Sequence, residues 1–172
     1  MERYCTAGSE GSIQDSVQLE LIKLKRAGVE LELPEGFHQM QEERVHRCYP
    51  WEERPDIILE NDSSVQITAQ IIRQKTQAAQ IHCAVEGIQK MTESLFPQYR
   101  VSPVYICGKG KLPVGWFHMG MPDKGAEHIK AIGIMSDYMT MLAFTYPAEE
   151  AVKWKSIFRH SFGTWREYCG ED

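Results

Sequence analysis

The side chains able to do covalent or metal chemistry are spread thinly along this chain. Six histidines (His38, His46, His82, His118, His128, His160) never form an HxH or HExxH pattern, so no one element offers two locked metal ligands. A site joining His82 to Cys48 or Cys107 would have to be assembled in three dimensions. His82 precedes Cys83, but adjacent residues of a helix face different directions and cannot serve each other as base and nucleophile. Cys83 reads instead as a small packing residue. The acidic pairs Glu42-Glu43, Glu52-Glu53 and Glu149-Glu150 would work as general acid and base only if buried and facing one another. Sequential neighbours in turns or first helical turns are not placed that way. "CGKGKLP" (107–113) lacks the GxxxxGK[ST] spacing and the following helix that a phosphate loop needs, and Pro113 leads into a strand, so it reads as a hairpin turn. These patterns assign no catalytic residue, no metal ligand and no cofactor.

Two other groups are suited to recognition. In "YPWEERP" (49–55), Trp51 and Arg54 are of the types that dominate interface energetics. The same stretch also reads as a rigid lead-in to a hairpin, with Arg54 paired to a carboxylate and Trp51 packed against a helix. In "LPVGWFHMGM" (112–121), Trp116 and Phe117 point to opposite faces of a strand, each placed to pack beneath a helix layer. The alternative is a partly exposed aromatic groove, extended by Met119 and Met121, whose side chains adapt to varied apolar partners.

The elements that must position these groups follow from periodicity. "SVQLELIKLKRAG" fits a strand through Val17, Leu19 and Leu21 and equally a helix through Ile13, Val17, Leu21 and Leu24. Val29, Leu31 and Leu33 mark a clearer strand. A short helical stretch ends at Tyr49-Pro50. "DIILE", the turn formers "NDSS" and the alternation Val65, Ile67, Ala69, Ile71 make a hairpin. From Thr76, a good N-cap, an amphipathic helix carries Ile81, Val85, Ile88 and Leu95, with Ala78, Ala84 and Met91 on the same side. "RVSPVYICG", "VGWFHMGM", "HIKAIGIMS" and "MTMLAFTYP" read as strands. Ala151, Trp154, Phe158, Phe162 and Trp165 then form one stripe of a last helix, with Glu149 and Glu150 at its positive end. Strands, helix, strands, helix is the order of an α+β fold. The expected architecture is an α/β/α sandwich, with a central, mostly antiparallel sheet of about six strands.

At 172 residues, 42% hydrophobic and 25% charged, the chain is sized for one domain with a substantial core. Residues 1–12 are small and polar and are expected to be disordered; residues 13–172 form the domain. The net charge of −5, with Lys and Arg scattered among more numerous acids, argues against nucleic-acid binding. Five irregularly spaced cysteines do not suggest a disulfide scaffold, and no apolar leader or membrane-length run occurs. Together these predict a reduced, cytoplasmic protein.

"ELPEGF" (32–37), "YPWEERPDIILENDSSVQIT" (49–68), "LPVGWFHM" (112–119) and a strand ending in Tyr-Pro before "EEAVKWKSIFRHSF" (149–162) resemble the PsbP-like superfamily. The resemblance covers about residues 29–168 and rests on short structural motifs. That superfamily holds an antiparallel sheet between helices. It includes the oxygen-evolving subunit PsbP, the nuclear factor that releases nucleotide from the small GTPase Ran, DcrB-like bacterial proteins, and chaperones for membrane segments of secreted effectors. The resemblance implies a non-enzymatic binding module, adaptor or chaperone-like, whose partner is a protein or peptide, an apolar helix of a secreted effector among them. A small hydrolase or ligand-binding enzyme built from dispersed His, Cys and Glu is the competing reading.

Overall fold

The computed structural model describes residues 17–170; the disorder expected of residues 1–12 falls outside them. The stretch that fitted two periods is a strand. β1 (Leu19–Leu24) pairs antiparallel with β2 (Val29–Pro34), from Leu19↔Pro34 to Leu24↔Val29. Gly28 closes the turn between them at φ 66°, a left-handed position that glycine takes without a Cβ penalty. β3 (His38–Gln39) and α1 (Glu42–Cys48) follow.

β4 (Ile57–Glu60) and β5 (Gln66–Lys75) are the expected hairpin. The Asn61 Oδ1 closes the turn by accepting the amides of Ser63 at 3.1 Å and Val65 at 3.0 Å. Val65, Ile67 and Ala69 are buried, as the alternation predicts.

α2 (Ile81–Leu95) starts later than Thr76 suggests. The Thr76 hydroxyl donates to the Gln74 carbonyl, and a single 3-10 turn at Ala78–Gln80 leads into the helix. "RVSPVYICG" is two strands, β6 (Arg100–Val101) and β7 (Tyr105–Cys107), because Pro103 removes an amide donor between them. Both pair with β8 (Val114–Met121). β9 (Ala126–Met135), β10 (Tyr138–Pro147), α3 (Ala151–Thr164) and β11 (Arg166–Glu167) complete the chain.

Eight strands form the large sheet, in the order β3-β4-β5-β10-β9-β8-β6 with β7 also on β8. β1, β2 and β11 form a separate three-stranded sheet. Every pairing in the two sheets is antiparallel. The expected count of about six is too low. Two- and three-residue strands are too short to show a period, and only the long-range pairing of β11 with β2 closes the small sheet.

Each face of the large sheet has its own core. On one side, Phe158, Phe162 and Trp154 of α3 and Leu31 and Leu33 of β2 pack with Phe144, Ile67 and Trp116. On the other, Ile81, Val85 and Ile88 of α2 pack with Phe117, Ile132, Ile134 and Met139. α1, none of whose residues is buried, is tied to this second face farther along the sheet by polar contacts. Its Arg44 Nε meets Glu60 Oε2 at 2.8 Å, and the Tyr49 hydroxyl just beyond it donates to Gln66 Oε1.

α2 lies close to β8 because Gly115 has no side chain. A Cβ there would stand 2.4 Å from Val85 Cγ2. Gly115→Ala is therefore expected to cost about 1–3 kcal/mol by overpacking, read as a lower urea midpoint. An unchanged midpoint would mean that α2 moves away freely.

Candidate functional site

α2 carries two apolar rows. Ile81, Val85, Ile88 and Thr92 are buried against the sheet. Ala84, Ile88, Met91 and Leu95 continue around the helix at i, i+4, i+7 and i+11, and here the row leaves the core. Met91 is 55% exposed and Leu95 64%, so the stripe read as wholly core-facing is only half buried. Phe96, just past the helix, stacks on Tyr99 with ring centroids 6.1 Å apart. Cys83, expected to pack, is exposed.

Beside this row lies a groove of about 530 Å³ between α2 and the ends of β5 and β10, lined by Ala84, Gly87, Ile88 and Met91 and by Lys75 and Met139. Nothing lies within 4 Å of where a Gly87 side chain would begin, so the helix wall is open there.

The residues singled out in sequence divide into two groups. Trp116, Phe117, Met119 and Met121 are all buried. Trp116 stacks on Tyr105 at 4.7 Å and meets Phe162 at 5.7 Å under α3, while Phe117 belongs to the core under α2. A closely packed interior leaves no exposed aromatic groove at these four positions.

Trp51 and Arg54 do come together at the surface. Arg54 Nε donates to the Trp51 carbonyl at 3.0 Å, and Arg54 Nη2 lies 2.9 Å from His46 Nδ1. The expected carboxylate partner is therefore replaced by a carbonyl and an imidazole, and Glu52 and Glu53 are exposed beside it. Trp51 is 56% exposed and meets Tyr49 edge-on at 6.0 Å, so it is not packed into a helix layer as the lead-in reading supposed.

Two polar constellations were not anticipated. Under α3, the Tyr146 hydroxyl donates to Glu127 Oε2 at 3.3 Å and Lys155 Nζ meets the same oxygen at 2.7 Å. Burial pushes the Tyr146 phenol far up, with the Glu127 charge adding to it, so the phenol serves as a donor. His118, on the same sheet face, is pushed down by burial and then by Lys155. The cluster ties the helix to the sheet.

On the opposite face His128 Nδ1 lies 2.8 Å from Thr145 Oγ1. Burial, then Lys130 and Lys124, pushes its imidazole down to about 4. Lys130 Nζ donates to Thr92 of α2 at 3.3 Å, and burial pushes this ammonium down too. The signal in sequence was His128 and Lys130 alternating with Ile129 and Ala131 in a central strand whose two faces are both covered. Among the described residues, no group of three or more His, Cys, Asp or Glu stands close enough to hold a metal ion.

No protein-family model matches the chain, and no curated protein matches it by sequence. Solved structures do match by shape. Cyanobacterial PsbP (CyanoP) from Synechocystis superposes with a TM-score of 0.59 at 12% identity, covering 95% of this chain and 98% of that one. The fold is PsbP-like. LpqN of Mycobacterium tuberculosis, described as involved in cell envelope biogenesis, shares this PsbP-like fold with a TM-score of 0.56 at 11% identity, over 89% of this chain and 92% of its own. On the PsbP-like sheet, the exposed row of α2 and the Trp51–Arg54 pair are features of this chain's own side chains.

Proposed function

We propose that this protein is a non-enzymatic binding module that holds an apolar segment of a protein partner in the groove beside α2. The observation that carries this reading is the half-exposed Met91, which lines a groove of about 530 Å³, with Leu95 and Phe96 exposed farther along the same helix and just past its end. An apolar row on a helix, next to a concavity with a sheet floor, suits an amphipathic helix laid into it. Methionine adds adaptability at such surfaces. An apolar helix of a secreted effector is one such segment. Among the described residues four cysteines are free, three of them exposed, which supports a reducing compartment, and the cytoplasm is the compartment we propose.

The test is a titration of a labelled amphipathic helical peptide against wild type and the double variant Met91→Glu, Leu95→Glu. Affinity is expected to fall about tenfold or more, because charges replace the apolar row. The melting temperature should stay near wild type, since both side chains are exposed. Equal binding by both proteins overturns the groove. Stoichiometric metal or one hyper-reactive thiol in purified protein would overturn the non-enzymatic reading.

A further inference from the structure

β5 is longer than the strand that covers it. β4 pairs with β5 only from Glu60↔Gln66 to Ile57↔Ala69, while β5 runs on to Lys75. On the other side β10 pairs with β5 from Gln66 to Ile72 and again at Lys75↔Tyr138, with Arg73 and Gln74 bulged out of register between them. Gln70, Ile71, Ile72 and Lys75 therefore have a strand on one side only among the described residues, and Arg73 and Gln74 bulge between them. β4 stops here for a local reason. Pro55 disfavours continued pairing, and Asp56 turns its carboxylate onto the chain, where Oδ2 accepts the Ile71 amide at 3.1 Å. A side chain thus meets the first backbone donor beyond β4, in the place a strand would take.

The side chains of residues 70–75 themselves carry only positive charge, with the Asp56 carboxylate at the near end of the stretch. Arg73 and Lys75 are exposed and make no ion pair among the described residues. They stand out in a chain of net charge −5. A second copy is a poor occupant, because antiparallel pairing of this edge with itself would bring like charges into cross-strand proximity. A strand carrying Asp or Glu at alternate positions meets opposite charge there and completes the backbone ladder. Lys75 also lines the groove beside α2, so the edge and the groove adjoin.

From the unpaired edge and its charge we infer that residues 70–75 of β5 accept an extended acidic peptide segment of the partner as an added strand. The inference rests on the reading of this molecule as a binding module, and it names the part of the partner the sheet edge takes.

The test uses a synthetic peptide alternating valine and glutamate, titrated by fluorescence anisotropy against the whole protein and followed by hydrogen–deuterium exchange. The peptide is expected to bind and to slow amide exchange selectively within residues 70–75. Arg73→Glu with Lys75→Glu should weaken binding about tenfold or more, and a valine–lysine peptide should bind the charge-reversed variant better than wild type. Methylating alternate backbone nitrogens of the peptide should abolish binding while leaving its side chains and charge unchanged. Absence of binding, unchanged exchange at residues 70–75, or full affinity of the methylated peptide would each overturn the inference. The Met91→Glu, Leu95→Glu variant separates the two readings. If it loses the helical peptide while wild type fails to take the valine–glutamate peptide, the groove stands and the edge does not.

Discussion

Phe158→Ala should be among the most destabilising single substitutions in this protein, at about 3–5 kcal/mol. Phe158 is fully buried. Its ring lies 4.3 Å from that of Phe144, 5.5 Å from Trp154 and 5.8 Å from Tyr146. Truncation removes the ring where α3 crosses the sheet and leaves a cavity between rigid neighbours. Phe144 is held in the sheet by pairing to both Ile67 and Ile129, so it cannot easily move in to fill the space. For a protein of this size, such a loss lowers the melting temperature by on the order of 10 °C. A melting temperature within a degree or two of wild type would mean that the core relaxes around the missing ring.

Acidification should expose the second large effect, at His128. The folded imidazole titrates near 4 and the unfolded one near the ordinary 6.5. Below the unfolded value, the unfolded chain takes up a proton that the folded chain refuses. Stability is therefore lost as pH falls from about 6.5 to about 4, by about 3 kcal/mol from this residue. Above pH 7 both states hold the ring neutral and the contribution vanishes. Carboxylates add their own acid dependence, so the informative quantity is a difference: urea midpoints of wild type minus those of His128→Gln at each pH. The variant forfeits some packing at every pH, but its midpoint should fall less steeply between pH 7 and 4. Parallel curves would show that the ring is protonated in the folded state.

How much of this was legible depended on the length and environment of each segment. The alternation in residues 65–71 reads directly as strand, because one face is buried and the other wetter, while 114–121 reads as a strand-length apolar run covered on both faces. The α3 stripe was equally clear, since large aromatic rings at helical spacing have only one way to be buried together. β1 was ambiguous for a physical reason. It is an outer strand with apolar residues on both faces, Leu21 exposed and Leu24 buried, so neither period dominates. The tail of α2 misled for the opposite reason. Met91 and Leu95 keep the helical spacing of a core face, but the sheet beneath that end of the helix is occupied by Thr92 and its contact with Lys130. Arg54 found its partners eight residues back at His46 and at a backbone carbonyl, a choice set by how the chain turns after α1. The free edge of β5 could not be read at all, since an edge is defined by which strand is missing beside it.

The small sheet has a consequence for how the molecule is made. β2 is completed by β11 through Arg166↔Glu30, and the Tyr168 amide donates to the Gly28 carbonyl. The Glu32 amide donates to Thr164 across 132 positions of sequence. During synthesis the β1–β2 hairpin therefore emerges with Val29, Leu31 and Leu33 bare, and the helix and strand that cover them are among the last residues described. Until those residues leave the ribosome, the nascent chain displays an apolar strand with an open edge, which invites holding chaperones or premature association. A ribosome-stalled chain ending before α3 should accordingly be protease-sensitive in its first hairpin, whereas one extended past Tyr168 should resist cleavage there.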